Sequence, residues 1–146
     1  MTPTAAGDDQ SLGKVLKRAE QSLLRAKSGA LKPAGLSLAQ YVALAELDQH
    51  PGSTGSALAR ACLVTPQAMM VVLKALEEQG LTARTPHERH RNVLEVHLTD
   101  AGREALHAGR EHAEPVEQRF LAAMSRTEQS TLRALLLRCI AAVEDR

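Results

Sequence analysis

The sequence predicts a mostly α-helical fold with a small β-hairpin wing: a winged helix-turn-helix between N- and C-terminal helices suited to dimerisation. Three observations predict it. Apolar residues recur at helical spacing over most of the 146 residues. The period changes to strict alternation only near 81–99. A helix, a short helix, a tight turn and a further helix stand directly before that change.

Composition narrows the choice. Hydrophobic residues make up 44% of the chain and charged residues 24%, as in ordinary globular proteins. Tyr41 and Phe120 are the only aromatic residues. The core must therefore be Leu, Ala, Val and Met, which suits packed helices. The same poverty argues against single-strand binding, which stacks bases on aromatic rings. The formal net charge is +1, so any nucleic-acid-binding surface has to be local. Cys62 and Cys139 have no paired spacing, and each stands among apolar helical residues, so both are expected reduced and buried. The first 30 residues hold no apolar run of the signal-peptide kind, and no stretch approaches a membrane span. The expectation is a cytoplasmic protein without membrane contact.

The elements follow in order. Residues 1–9 read as a flexible tail. The segment from about 10 to 31 places Leu12, Leu16, Ala19, Leu23 and Ala26 on one helical face, and KPAG at 32–35 ends it. Ser37 and Gln40 form a capping box for a second helix that stops at Pro51-Gly52. A short third helix runs from about Thr54 to Ala61. Thr65 as N-cap and Pro66 at the first helical position open a fourth, which runs to Gln79 and stops at Gly80. LTART (81–85) and VLEVHLT (93–99) are strands, the second with Leu94, Val96 and Leu98 on one face. PHERHRN joins them as a basic tip. Thr99 caps a fifth helix, in which Pro115 either makes a kink or is carried through. Ser125 and Glu128 form a second capping box. The last helix bears the stripe Leu132, Leu135, Leu136, Cys139, Ile140 and Val143. The domain organisation is thus a tail (1–9), an N-terminal helix (10–36), a winged helix-turn-helix (37–100) and C-terminal helices (101–146).

The fourth helix carries the functional expectation. A helix that enters the major groove needs an apolar face toward its own domain and a polar or small face toward the bases. Met69, Val72, Leu73 and Leu76 make the first face; Gln67, Met70, Val71 and Lys74 make the second. Thr65 and Gln67 can donate to phosphates or base edges, and Thr54 and Pro66 stand at helix starts suited to phosphate. Met70 and Val71 are apolar on the polar side, and either pack on a neighbouring helix or read thymine methyls. Arg84, His87, Arg89, His90, Arg91 and Asn92 supply the wing's contacts to the adjacent minor groove or its phosphates.

These residues carry a resemblance. Leu38 to Gly102, with HPG before the third helix, LARA and TPQ across the turn, LKALEEQGL and LTDAGREAL, resembles the multiple-antibiotic-resistance regulator (MarR) family. With the flanking helices, which match that family's dimerisation helices, the resemblance covers nearly the whole chain. It implies a homodimeric regulator, expected to be a repressor, that binds pseudo-palindromic duplex DNA and is released by a small-molecule effector. The implied dimer contacts are Leu12 and Leu16 with the last-helix stripe. The implied ligand residues are Arg18, Arg25 and Tyr41. The sequence departs from the family twice. Leu63 stands where many members have Gly in the motif turn, which either loosens the turn or sends Leu63 into the core. The family's Asp-x-Arg wing signature is replaced by His87-Glu88-Arg89-His90-Arg91-Asn92; its Arg falls on Asn92 without gaps or on Arg91 with one insertion. Arg91 is the preferred match, with Arg89 in support and Glu88 in the place of the acid.

Other chemistries find little. The histidines are His50, His87, His90, His97, His107 and His112, and His107 and His112 do not share a helical face, so no metal or cofactor is expected. Family members that sense oxidants do so near the N-terminal helix, where this chain has no cysteine. No nucleophile elbow, P-loop, HExxH or paired cysteines suggest an enzyme. The alternative to a DNA reader is an interaction module of the same fold that heterodimerises with another regulator.

Overall fold

The computed structural model describes residues 11–144; the tail expected over 1–9 lies outside them. The elements are α1 (Leu12–Leu31), a 3-10 turn (Lys32–Ala34), α2 (Leu38–Gln49), α3 (Gly55–Ala61), α4 (Pro66–Glu78), β1 (Thr82–Pro86), β2 (Leu94–Leu98), α5 (Asp100–Leu121) and α6 (Arg126–Glu144). Every expected element is present, with ends within a residue or two.

Side-chain caps set most of the helix starts. Ser11, Ser37, Thr54, Thr65 and Thr99 each accept a backbone N–H at the first turn of the helix that follows. The Ser37–Gln40 and Ser125–Glu128 pairs bond reciprocally, as capping boxes do. α4 ends in a Schellman motif: Leu81 N–H bonds Leu76 C=O at 2.9 Å, and Gly80 N–H bonds Glu77 C=O at 3.0 Å. Gly80 takes the left-handed conformation (φ 73°) that this ending requires. Pro115 is carried through inside α5, at the loss of the bond its missing N–H would have made to residue 111.

Leu44, Leu47, Leu58, Met69, Leu76, Val96 and Leu106 form one buried cluster joining α2, α3, α4, β2 and α5. β1 and β2 pair antiparallel, with Thr82 opposite Leu98 and Pro86 opposite Leu94. The far edge of β2 is also used: Gly52 N–H bonds Val96 C=O (3.1 Å) and Val96 N–H bonds Ser53 C=O (2.9 Å). The wing is therefore stitched to the α2–α3 connection. Val96 is fully buried, whereas Leu94, further along the same face, is 42% exposed because the hairpin has run beyond the core.

α1 lies along α5, tied by Lys27–Glu117 at 2.5 Å; Arg110–Asp48 at 3.0 Å ties α5 to α2. α6 differs from the rest. It has no buried residue, and its stripe Leu132, Leu135, Ile140 and Val143 stays open to solvent. Cys139 corrects an expectation: it is exposed, not buried, because among the described residues no element covers that stripe. Cys62 is half-buried. Burial, and secondarily the charge of Glu46, pushes its thiol pKa up, which disfavours the reactive thiolate.

Gly102 sets the distance between wing and α5. A Cβ there would stand 2.0 Å from the carbonyl oxygen of Leu81. The clash is with backbone and cannot be relieved by a rotamer change. Gly102→Ala is expected to destabilise the fold by about 2–3 kcal/mol or more, read by urea unfolding. A loss below about 0.5 kcal/mol would show that the junction is loose.

Candidate nucleic-acid interface

Thr65 and Pro66 start α4 as the sequence implies, and Thr65 Oγ1 accepts Ala68 N–H at 3.1 Å. Its hydroxyl hydrogen remains able to donate outward. The two faces of α4 separate cleanly. Met69, Leu73 and Leu76 are buried and Val72 packs on the core; Gln67, Met70, Val71 and Lys74 are exposed. Met70 is 69% exposed and Val71 71%, so neither packs on a neighbouring helix of its own chain. Together with Lys74, Arg84 and Leu94 they line an open groove of about 440 Å³ between α4 and the wing. Thr54, half-buried, caps α3 by accepting Ala57 N–H at 3.1 Å.

The motif turn overturns both expectations for Leu63. Val64 N–H bonds Ala59 C=O (3.0 Å) and Leu63 N–H bonds Arg60 C=O (3.2 Å), so the turn closes as a Schellman motif. Leu63 occupies its glycine seat with φ 57° and is 91% exposed. The turn is not loosened, and the side chain does not enter the core. An L-residue there costs about 1–2 kcal/mol.

The wing is organised by a residue first read as a DNA contact. His87 Nδ1 accepts two backbone N–H groups, from Arg89 (3.1 Å) and His90 (3.2 Å). Its own N–H bonds Val93 C=O at 2.8 Å, and Val93 N–H bonds His90 C=O at 2.8 Å. Its ring stacks on His90, and its Nε2 stands 3.6 Å from Glu95, which also faces His97 at 3.5 Å. An imidazole acceptor thus performs the local service that an Asp at a turn usually performs. Among the described residues, Glu88 forms no ion pair with Arg91. Arg89, His90, Arg91 and Asn92 remain exposed at the tip. Arg84 is engaged with Glu77 at 2.8 Å, which straps β1 to the C-terminal half of α4. Glu77 and Glu95 were not singled out from sequence. Their only sequence signal is opposite charge at positions that become neighbours after folding.

Arg18 and Arg25 are exposed on α1, and Tyr41 is half-buried against Gly109 of α5. Burial raises the Tyr41 hydroxyl pKa; Arg110 opposes the shift, and Glu114 and Glu117 add to it. A cavity between α1 and α5 is lined by Leu23, Ala26, Val116, Arg119 and Phe120, and includes none of those three residues. Among the described residues no cluster of three or more His, Cys, Asp or Glu could hold a metal ion, and no single helix is long and apolar enough to cross a membrane.

Residues 34–91 match the MarR family profile. An HTH-type transcriptional repressor of Mycobacterium tuberculosis, Rv2887, is 36% identical over 129 residues, or 88% of this chain and 93% of that protein. The chain belongs to the MarR family. Solved structures agree with this MarR assignment. Rv2887 in complex with p-aminosalicylic acid superposes with a TM-score of 0.70 at 34% identity, covering 89% of this chain and 98% of that one. Rv2887 in complex with DNA gives 0.69 at 33% identity, covering 90% and 98%. The winged helix of this MarR protein therefore has its α4, turn and wing in the family arrangement, with Leu63 in the left-handed seat of the turn and His87 holding the wing tip.

Two outcomes follow from those residues. Leu63→Gly is expected to raise stability by about 1 kcal/mol, the relief of the left-handed strain less the added unfolded-state entropy. Thermal unfolding reads the change, and a drop in Tm would refute the strain. His87→Ala should speed amide exchange at Arg89 and His90 about fivefold, the worth of roughly 1 kcal/mol of hydrogen bonding. Unchanged exchange at both amides, measured by NMR, would show that the ring does not hold the tip.

Proposed function

We propose that the chain is a transcription regulator, a repressor, that binds pseudo-palindromic duplex DNA as a homodimer and is released by a small organic acid. One observation carries the DNA reading. α4 shows the solvent a face of Gln67, Met70, Val71 and Lys74, beside a wing tip that exposes Arg89 and Arg91. In this reading α4 lies in the major groove, Thr65 and the α4 N-terminus meet a phosphate, and Arg91 and Arg89 reach the flanking minor groove. The exposed basic tip favours it over a non-binding heterodimer partner. Work on duplex DNA implies a cytoplasmic location, and no catalytic role is assigned.

The dimer rests on α1 and α6. Leu12 is 71% exposed, Leu16 43%, Leu135 42%, Ile140 47% and Val143 77%. So much aliphatic surface on two terminal helices calls for a cover, and a twofold copy supplies it with matching helices. Rv2887 is described in complexes with salicylic acid and p-aminosalicylic acid. The same class of ligand is proposed here, at the junction of the DNA-binding and dimerisation lobes, with Arg18, Arg25 and Tyr41 as candidate contacts.

The tests are direct. Sedimentation at micromolar concentration should show a dimer, and Leu135→Asp with Ile140→Asp a monomer; a folded wild-type monomer would refute the assembly. In mobility shifts with the chain's own upstream DNA, binding should weaken steeply with salt. Arg91→Ala should cost about 1–3 kcal/mol. The absence of any shift at low salt would sink the DNA reading.

A further inference from the structure

Resting on the reading that α4 enters the major groove, we propose that Met70 and Val71 select thymine at the centre of each half-site through its C5-methyl group. The exposed stripe of α4 is Gln67, Met70, Val71 and Lys74. At 1.5 Å of rise per residue it is about 10 Å long, or roughly three base-pair steps. Its ends are polar and its middle is apolar. Among the described residues none covers Met70 and Val71, at 69% and 71% exposure, while Met69 one position earlier is fully seated.

Major-groove chemistry identifies the occupant. Adenine, guanine and cytosine present only donors and acceptors there, and thymine alone adds a carbon group. An apolar pair pressed on a cytosine amino group or a guanine O6 strands a polar atom without a partner. Pressed on a thymine methyl, it strands nothing and buries apolar surface. The centre of α4 therefore attracts thymine and rejects the other bases. Lys74 on the same stripe and the exposed Arg89 and Arg91 of the wing make the surroundings cationic, which fits a polyanion better than an apolar protein partner. The two side chains differ in stringency. Val71 is stiff at χ1 and offers its methyls at a fixed place, whereas Met70 is flexible and adapts to a neighbouring step. Gln67, one turn earlier, is suited to adenine, whose partner also presents a methyl.

The experiment uses the full chain and a duplex enriched from a random-sequence pool. Each thymine is replaced in turn by uracil, which removes one methyl and no hydrogen bond, and affinity is read by fluorescence anisotropy. Uracil at one or two positions per half-site should weaken binding about fourfold per methyl lost. That sensitivity should vanish in Met70→Gln or Val71→Ala at the matching position, and persist in Met70→Leu, which keeps an apolar contact. Both sites are on the surface, and circular dichroism checks the fold of each variant. Tight binding with uracil tolerated within twofold everywhere would overturn the proposal. So would equal uracil losses in wild type and variants, since the methyl would then act through DNA shape. Failure to enrich any duplex would overturn the DNA reading beneath it and this inference with it.

Discussion

The close approach of α5 to the start of β1 is the constraint on which the rest of the structure depends. Thr99 Oγ1 donates to Gly80 C=O at 2.6 Å, Thr99 N–H bonds Leu81 C=O at 3.1 Å, and the same hydroxyl accepts Gly102 N–H at 3.0 Å. One residue, through its hydroxyl and its backbone N–H, thereby joins the end of α4, the start of β1 and the first turn of α5. Gly102 leaves room for the Leu81 carbonyl where any side chain would collide. The angle between reading helix, wing and α5 is set there by hydrogen bonds rather than by loop composition. The apolar cluster from Leu44 to Leu106 then holds that angle from the other side.

Much of this was legible in the sequence because its causes are local. Capping residues declare helix starts within four positions, so Ser37, Thr65, Thr99 and Ser125 could be read directly. The change of period at the hairpin and the buried face of α4 were equally plain, since each depends on spacing along one element. What escaped depends on distance in space. Arg84 meets Glu77, and Glu95 meets His87 and His97, only after the hairpin has folded. Leu63 hides its conformation because nothing about leucine itself signals a left-handed backbone; the family's glycine at that seat was the one hint, and the φ of 57° and the hydrogen bonds of the turn establish it. Cys139 was misplaced for a related reason: an apolar stripe predicts that a face will be covered, but not whether its own chain covers it.

The wing shows how one local solution can replace another. The family pattern places an acid near the tip, and this chain holds the tip with the acceptor nitrogen of His87. The exchange keeps the turn and changes its chemistry: a single ring nitrogen accepts both backbone N–H groups, where a carboxylate would offer two oxygens.

α5 is one uninterrupted helix of 22 residues, with Pro115 absorbed in it. Its first turn is locked to the wing, and its far end lies where α6 begins. At 1.5 Å per residue it is a rod of about 33 Å. Turning such a rod by about 6° displaces its end by roughly 3.4 Å, the spacing of one base pair along a DNA strand. Leverage of that kind means that a rearrangement too slight to disturb the packing at one end of the protomer is enough to put the other end out of step with a double helix.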